Sequence, residues 1–361
     1  MISFKQGKVQ KILSQRPGIT RVQVDLESDS ARALNYDDLT GDIKEGDRVI
    51  LNTTAVELGL GTGGVHYVLW NLRHKNLDST GPGHIMKLRY TPMQVKCLAV
   101  EEADNRFHER MSGSCDLKGM PVVAGSLHSQ LPAVVAGIKQ LNPKLRIAYI
   151  MTDGGALPIA FSDLVASLKS RSLIDNTITC GHAFGGDFEA VNVFSALMAA
   201  KKVIKADIAV VIMGPGIVGT KTTLGFSGIE QGQVLNAAGA LKGKPIAIVR
   251  LHFADQRKRH YGVSHHTLTT LSLATLTRSA VVIPDMNSEK REMVVKQLKE
   301  AGVFSKHNVV EVDDNITLDA LKKLNINVTT MGRKPDQEED FFRAAGAAGI
   351  HAVRQLERNR A

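Results

Sequence analysis

From residue 121 onward the chain repeats one pattern: a short continuous apolar run, a loop, then a segment with helical spacing. The runs fall at 122–124, 147–151, 177–180, 208–213, 246–251, 280–283 and 309–312. A strand that is apolar at every position has both faces covered, and strands that alternate with helices are joined by crossovers. The repeat therefore requires a mainly parallel, doubly wound, Rossmann-like α/β domain. Helix-start signals fit the gaps: Pro158 suits a first turn, Asp187 an N-cap and Ser288-Glu289 a capped first turn. From Pro335 to about Glu357, Phe342, Ala345, Gly349, Ala352, Val353 and Leu356 share one helical face, which predicts a C-terminal helix packed on the domain.

The residues before this repeat read differently. Segments 8–13, 20–26 and 47–51 are rich in β-branched residues and alternate apolar with polar, and Pro17-Gly18, Thr40-Gly41-Asp42 and Glu45-Gly46-Asp47 punctuate them. A small antiparallel, barrel-like β-domain is expected. Gly59-Leu60-Gly61-Thr62-Gly63-Gly64 has no helical pattern behind it, so a bend is expected there, not a phosphate loop. The expected organisation is a β-barrel-like domain over 1–92, a connecting region over 93–120 and the α/β domain over 121–361. A length of 361 residues suits two domains.

Composition narrows the class. Apolar residues at 43% and charged residues at 22% exclude wholesale disorder. No apolar run reaches the roughly 20 residues of a membrane span. The opening Met1-Ile2-Ser3-Phe4-Lys5 has no signal-type apolar stretch, and Cys97, Cys115 and Cys180 are widely spaced with no CxxC pair. A cytoplasmic protein without a disulfide framework is expected.

Charge is concentrated. Residues 201–260 hold ten basic and three acidic side chains, +7 of the net +9. Such a local excess points to an anionic ligand or to solvated helix ends. Nucleic acid is disfavoured, with aromatics at 5% and a single tryptophan, Trp70.

In a parallel α/β sheet, ligands bind beyond the C-terminal ends of the strands. The loops at that end are distinctive: Gly125-Ser126-Leu127-His128-Ser129, Thr152-Asp153-Gly154-Gly155, Gly181-His182-Ala183-Phe184-Gly185-Gly186-Asp187, the glycine-rich loop from Gly214, and His252 through His266. Six of the eight histidines after residue 120 lie in them. The opposite loops are ordinary connections, so one shared crevice is expected.

The loop from Gly214 has the form GxGxxG after a strand and nearly fits GxxxxGK[ST], but Thr220 intervenes before Lys221-Thr222. Neither motif is complete, while the anion chemistry survives. Gly214, Gly216 and Gly219 expose backbone N–H groups, and Thr220, Lys221 and Thr222 suit an oxyanion. A mobile surface loop is the structural alternative. Asp153, His128 and His182 are the candidates for acid–base or metal chemistry; Asp153 also suits a plain Asp-Gly turn. His252, Asp255 and His265 are weaker metal candidates, since no HExxH-type spacing occurs. Arg257-Lys258-Arg259 suits either a phosphorylated substrate or a solvated loop.

These same loops resemble an uncharacterised bacterial family, domain of unknown function 3866. The resembling stretches are Pro121-Val122-Val123, Leu127-His128-Ser129 and the segments 151–158, 181–192, 214–220 and 260–267, with Ala33-Leu34-Asn35-Tyr36 and Gly46-Asp47-Arg48-Val49. The resemblance implies a cytoplasmic protein and carries over no activity and no catalytic residue. The expected function is an enzyme acting on a phosphorylated or nucleotide-like small molecule, with a divalent metal or a nucleotide as the cofactor to test. The competing expectation is a non-catalytic metabolite sensor whose β-domain engages a partner. Whether turnover occurs, and whether the chain self-associates, stays open at this level.

Overall fold

The computed structural model describes residues 2–27, 29–61, 63–78, 81–255 and 257–360. The expected bend at 59–64 includes Thr62, which lies outside the described residues. The chain divides into two compact units, Met1–Cys97 and Leu98–Ala361. Among the described residues, no helix is long and apolar enough to cross a membrane.

The first unit is a closed barrel of β1 (Phe4–Arg16), β2 (Ile19–Leu26), β3 (Asp29–Asn35), β4 (Arg48–Asn52) and β5 (His66–Asn71), in the order β1-β2-β3-β5-β4. β1 pairs antiparallel with both β2 and β4, while β3 and β5 are parallel. Register shifts at Val9/Lys11 and Ile12/Ser14 bend β1, which lets one long strand serve both neighbours. The alternation read from the sequence places Val9, Val22, Val24, Val49, Leu51 and Val68 inside. A short antiparallel hairpin, β6 (Ile85–Lys87) and β7 (Val95–Cys97), completes the unit.

The second unit is built on eight parallel strands: β8 (Pro121–Ala124), β9 (Ile147–Met151), β10 (Asn176–Cys180), β11 (Phe188–Ala190), β12 (Ile208–Val211), β13 (Lys244–Ile248), β16 (Ala280–Pro284) and β17 (Asn308–Val312). A two-strand hairpin, β14 (Leu251–His252) and β15 (Gly262–Val263), stands outside the sheet. The sheet order is β11-β10-β9-β12-β8-β13-β16-β17. Two cores cover its faces, as continuous apolar strands demand. One holds the helices Leu131–Leu141, Asp163–Ser170, Thr317–Lys323 and Glu339–Arg360. The other holds Val193–Ala199, Glu230–Ala240 and Ser288–Glu300, together with Val100, Leu117 and Met120 from the segment before β8. Gly349 lets two helices of the first face meet backbone to backbone, because a Cβ there would stand 2.4 Å from the Val134 carbonyl oxygen.

The chain leaves β8 over the first face towards β9, β10 and β11, then returns over the second face to β12 and on to β13. β8 is therefore flanked by strands whose following helices lie on the opposite face, and a crevice opens at that switch. The buried Gln231 side chain sits at the switch and donates to the carbonyls of Ala124 (2.8 Å) and Ile248 (3.0 Å).

Two local expectations differ in detail. Asp187 does not cap a helix; it pairs with Lys169, accepts from the Thr177 N–H at 2.8 Å and leads into β11, a strand too short for periodicity to reveal. Pro158 precedes a single turn, Ile159–Phe161, and the helix after it starts at Asp163 with Ser162 as its cap. The capped first turn read at Ser288-Glu289 is present: the helix starts at Ser288, and the Asn287 side chain caps it by accepting from the Lys290 N–H at 3.0 Å.

Candidate functional site

The glycine-rich loop after β12 folds back on itself. Gly214 and Pro215 pack against the β9 loop, where the Ala156 N–H donates to the Pro215 carbonyl (2.7 Å). Gly155 permits this approach, since a Cβ there would lie 2.3 Å from the Gly214 carbonyl oxygen. The Thr220 N–H and hydroxyl both reach the Gly225 carbonyl (2.7 and 3.0 Å), and the Thr222 hydroxyl accepts from the Gly225 N–H (3.1 Å). These threonines close the turn, and Lys221, with φ +68°, forms its exposed tip. Gly219 lies at the inner edge of the loop, within van der Waals reach of His266 for a Cβ built there (3.6 Å).

Opposite the loop is a wall of cations. A cavity of about 110 Å³ is lined by Gly219, Lys221, Arg250, Arg257, Arg259 and His266, among others. Arg250 ends the apolar run of β13 and is only 2% exposed. Its Nε donates to His252 Nε2 (2.9 Å), while its Nη2 is buried with no hydrogen-bond partner among the described residues. Burial, then the nearby Arg257 charge, push its pKa down to about 10.

Carboxylates behind the wall hold it in place. Asp255 accepts two bonds from Arg257 (2.9 and 2.6 Å), and that pairing holds its carboxyl well below the usual range. Glu338, buried, accepts from Arg333 Nε (2.6 Å) and from the Phe253 N–H (3.1 Å), and lies 3.3 Å from His252 Nδ1. The His252 ring also stacks on Phe341. His252 is thus held between Arg250 and Glu338, and Asp255 is ion-paired with Arg257; neither belongs to the cluster that holds His265.

His265 instead lies with His260 and His266. One ligating atom from each of the three falls within 4.8 Å of the others. His260 ends a single turn, Lys258–His260, and Ser264 caps the helix His265–Thr269 that carries the other two. The His266 ring stacks on Phe226 at 4.0 Å. Burial first, and the surrounding arginines and histidines next, push the pKa values of His260 and His266 down to about 3. Burial likewise lowers His265.

Beside the glycine loop lies a carboxylate pair. Glu230 opens the helix Glu230–Ala240, accepts the Thr152 hydroxyl and is bonded by the Gly154 N–H. Its burial, augmented by the Asp153 charge, raises its pKa to about 7. Asp153 Oδ2 accepts from the His182 N–H at 2.8 Å, and Gly181, with φ +68°, leaves room for that carboxylate. The half-buried His182 therefore flanks Asp153 through its backbone.

His128 is held on both sides of its ring. Nδ1 donates to the Met213 carbonyl (3.1 Å) and Nε2 accepts the Ser162 hydroxyl (2.7 Å). Burial lowers its pKa to about 4, so the neutral ring braces the end of β12.

Glu230 and Arg250 did not stand out from the sequence. An acidic residue in a first helical turn reads as dipole compensation. The available signal was Arg250 itself: an arginine ending a buried apolar strand needs an anionic partner.

A family model described as Protein of unknown function (DUF3866) matches residues 32–349. No curated protein matches the chain. The match spans most of both units, and the chain belongs to the DUF3866 family.

Proposed function

We propose that the chain is an enzyme acting on a phosphorylated or nucleotide-like small molecule, bound at the C-terminal ends of β12, β8 and β13. The observation that carries this reading is Arg250. A buried guanidinium with an unpartnered Nη2 is costly, and an oxyanion in the cavity it lines would satisfy it. Lys221, Arg257 and Arg259 add the charge a phosphoryl group needs, and Gly214, Gly216 and Gly219 shape the facing loop. Thr220 and Thr222 serve by holding that loop closed.

Glu230 and Asp153 form the acid–base pair in this reading. Burial raises the Glu230 carboxyl to about 7, which suits it to giving and taking a proton near neutral pH, with the Asp153 carboxylate beside it. His182 supports Asp153, and His128 positions the Gly214 loop through the Met213 carbonyl.

The test is thermal unfolding of the chelator-treated protein against inorganic phosphate, pyrophosphate, nucleotides and sugar phosphates. Binding to the folded state alone raises its stability by mass action. Phosphorylated compounds are expected to raise the melting temperature in the wild type and much less in Lys221→Ala and Arg259→Ala. No shift, or equal shifts in all three proteins, would overturn the reading. A shift without turnover of any ligand would favour the metabolite-sensing alternative.

A further inference from the structure

We propose that His260, His265 and His266 form a three-imidazole site for a divalent cation of the zinc class, opening onto the arginine-lined cavity. The ring centroids are 4.1 to 5.2 Å apart, and one ligating atom from each residue falls within a 4.8 Å cluster. His265 Nε2 and His266 Nδ1 are both buried with no hydrogen-bond partner among the described residues. Buried polar atoms in native proteins are nearly always satisfied, and two orphaned nitrogens beside a third imidazole share one simple remedy. That remedy is a cation taking all three lone pairs.

The surroundings fit a ligand set. His260 Nδ1 lies 2.8 Å from the Ser264 hydroxyl, an outer contact that fixes the ring and leaves Nε2 to face inward. Arg259 Nε now reaches that Nε2 at 3.3 Å, and it must withdraw when a cation binds. Stacking on Phe226 fixes the plane of His266. All three residues belong to the short turn and helix start on either side of β15, so their spacing is set by backbone hydrogen bonds. Three nitrogen ligands leave a fourth tetrahedral position for water or for an oxygen of a bound anion.

Charge sets a condition on loading. Among the described residues no carboxylate belongs to the cluster, and Lys221, Arg250, Arg257 and Arg259 line the cavity beside it. Asp255 is committed to Arg257 and Arg333. A bare dication is repelled here, so cation and anion bind as a pair and each raises the affinity for the other. The three-histidine site stands on its own geometry; this coupling rests on the phosphorylated-ligand reading above.

The experiment is a Co²⁺ titration of the full-length, chelator-stripped protein, followed by visible absorption with and without inorganic phosphate. One equivalent of Co²⁺ is expected to give the intense bands of a four-coordinate nitrogen-rich site, displaced by Zn²⁺. His265→Ala and His266→Ala are expected to abolish the bands, and Ser264→Ala to weaken binding about tenfold. Phosphate is expected to tighten Co²⁺ binding about tenfold, the usual order of a coupling between adjacent sites. X-ray absorption on the wild-type cobalt protein should count three imidazoles, which keeps the test decisive if a variant fails to fold. Fewer than three imidazoles, or bands that persist in both histidine variants, overturns the metal site. Cobalt binding that phosphate leaves unchanged upholds the metal site and overturns the coupling. The anion reading is tested separately, in the metal-free protein, by the melting-temperature comparison above.

Discussion

At the scale of the residue, Glu230 carries the sharpest expectation. Its folded-state pKa, raised to about 7 by burial, lies above the ordinary value of 4.5. The folded protein therefore holds this proton more tightly than the unfolded chain. The associated stability is fully present below about pH 4.5 and is lost as pH rises towards 7. Glu230→Gln keeps the shape and removes the titration. Its stability relative to wild type should climb between pH 4.5 and 7 and level off above, by at most about 3 kcal/mol. Denaturant unfolding at several pH values checks this, and parallel curves for the two proteins would contradict it. In turnover, the same substitution should lower kcat while leaving phosphate affinity nearly unchanged. The glycine-rich loop from Gly214 and the histidine-rich segment stood out in the sequence because glycines and histidines cluster in few loops for structural reasons alone. Glu230 was not, because its role comes from burial against Thr152 and Asp153, a juxtaposition no spacing records.

At the scale of the element, apolar continuity identified β8, β9, β10, β12, β13 and β16 because burial on both faces leaves no other pattern, and it also found the half-exposed edge strand β17. It missed β11, β14 and β15, which are two or three residues long and set by tertiary contacts. The two minor strands of the histidine segment matter most, since their pairing at Leu251 with Val263 and His252 with Gly262 brings His260 and the helix start together. Packing expectations follow the close backbone approaches. Gly349→Ala puts a Cβ 2.4 Å from the Val134 carbonyl and should cost about 1–3 kcal/mol by overpacking, with ligand affinity retained. Gly155→Ala collides with the Gly214 carbonyl at 2.3 Å and should instead displace the glycine-rich loop, and on the proposed function weaken phosphate binding at least as much as stability. Comparing melting temperature with phosphate affinity in the two variants separates the roles; the same pattern in both would contradict this division.

At the scale of the whole molecule, every proposed site residue belongs to Leu98–Ala361. That unit expressed alone should keep phosphate affinity within about twofold of the full chain, and isothermal titration checks it. A loss of binding would show that the barrel takes part in the site. The sequence made the two-part architecture legible through its change of period near residue 120, while the segment from Leu98 to Met120 gave no clear signal. Its residues in the α/β core, Val100, Leu117 and Met120, are scattered and show no periodicity of their own.

The central claim is that an oxyanion binds among Arg250, Arg257, Arg259 and Lys221. The most direct measurement is anomalous diffraction from crystals of the full-length protein soaked in tungstate, a heavy-atom mimic of phosphate. The account predicts a tungsten peak in that cavity with the Arg250 Nη2 as a contact, lost in Arg259→Ala crystals. Tungsten found only elsewhere on the molecule, with Arg250 still unpartnered, would contradict it.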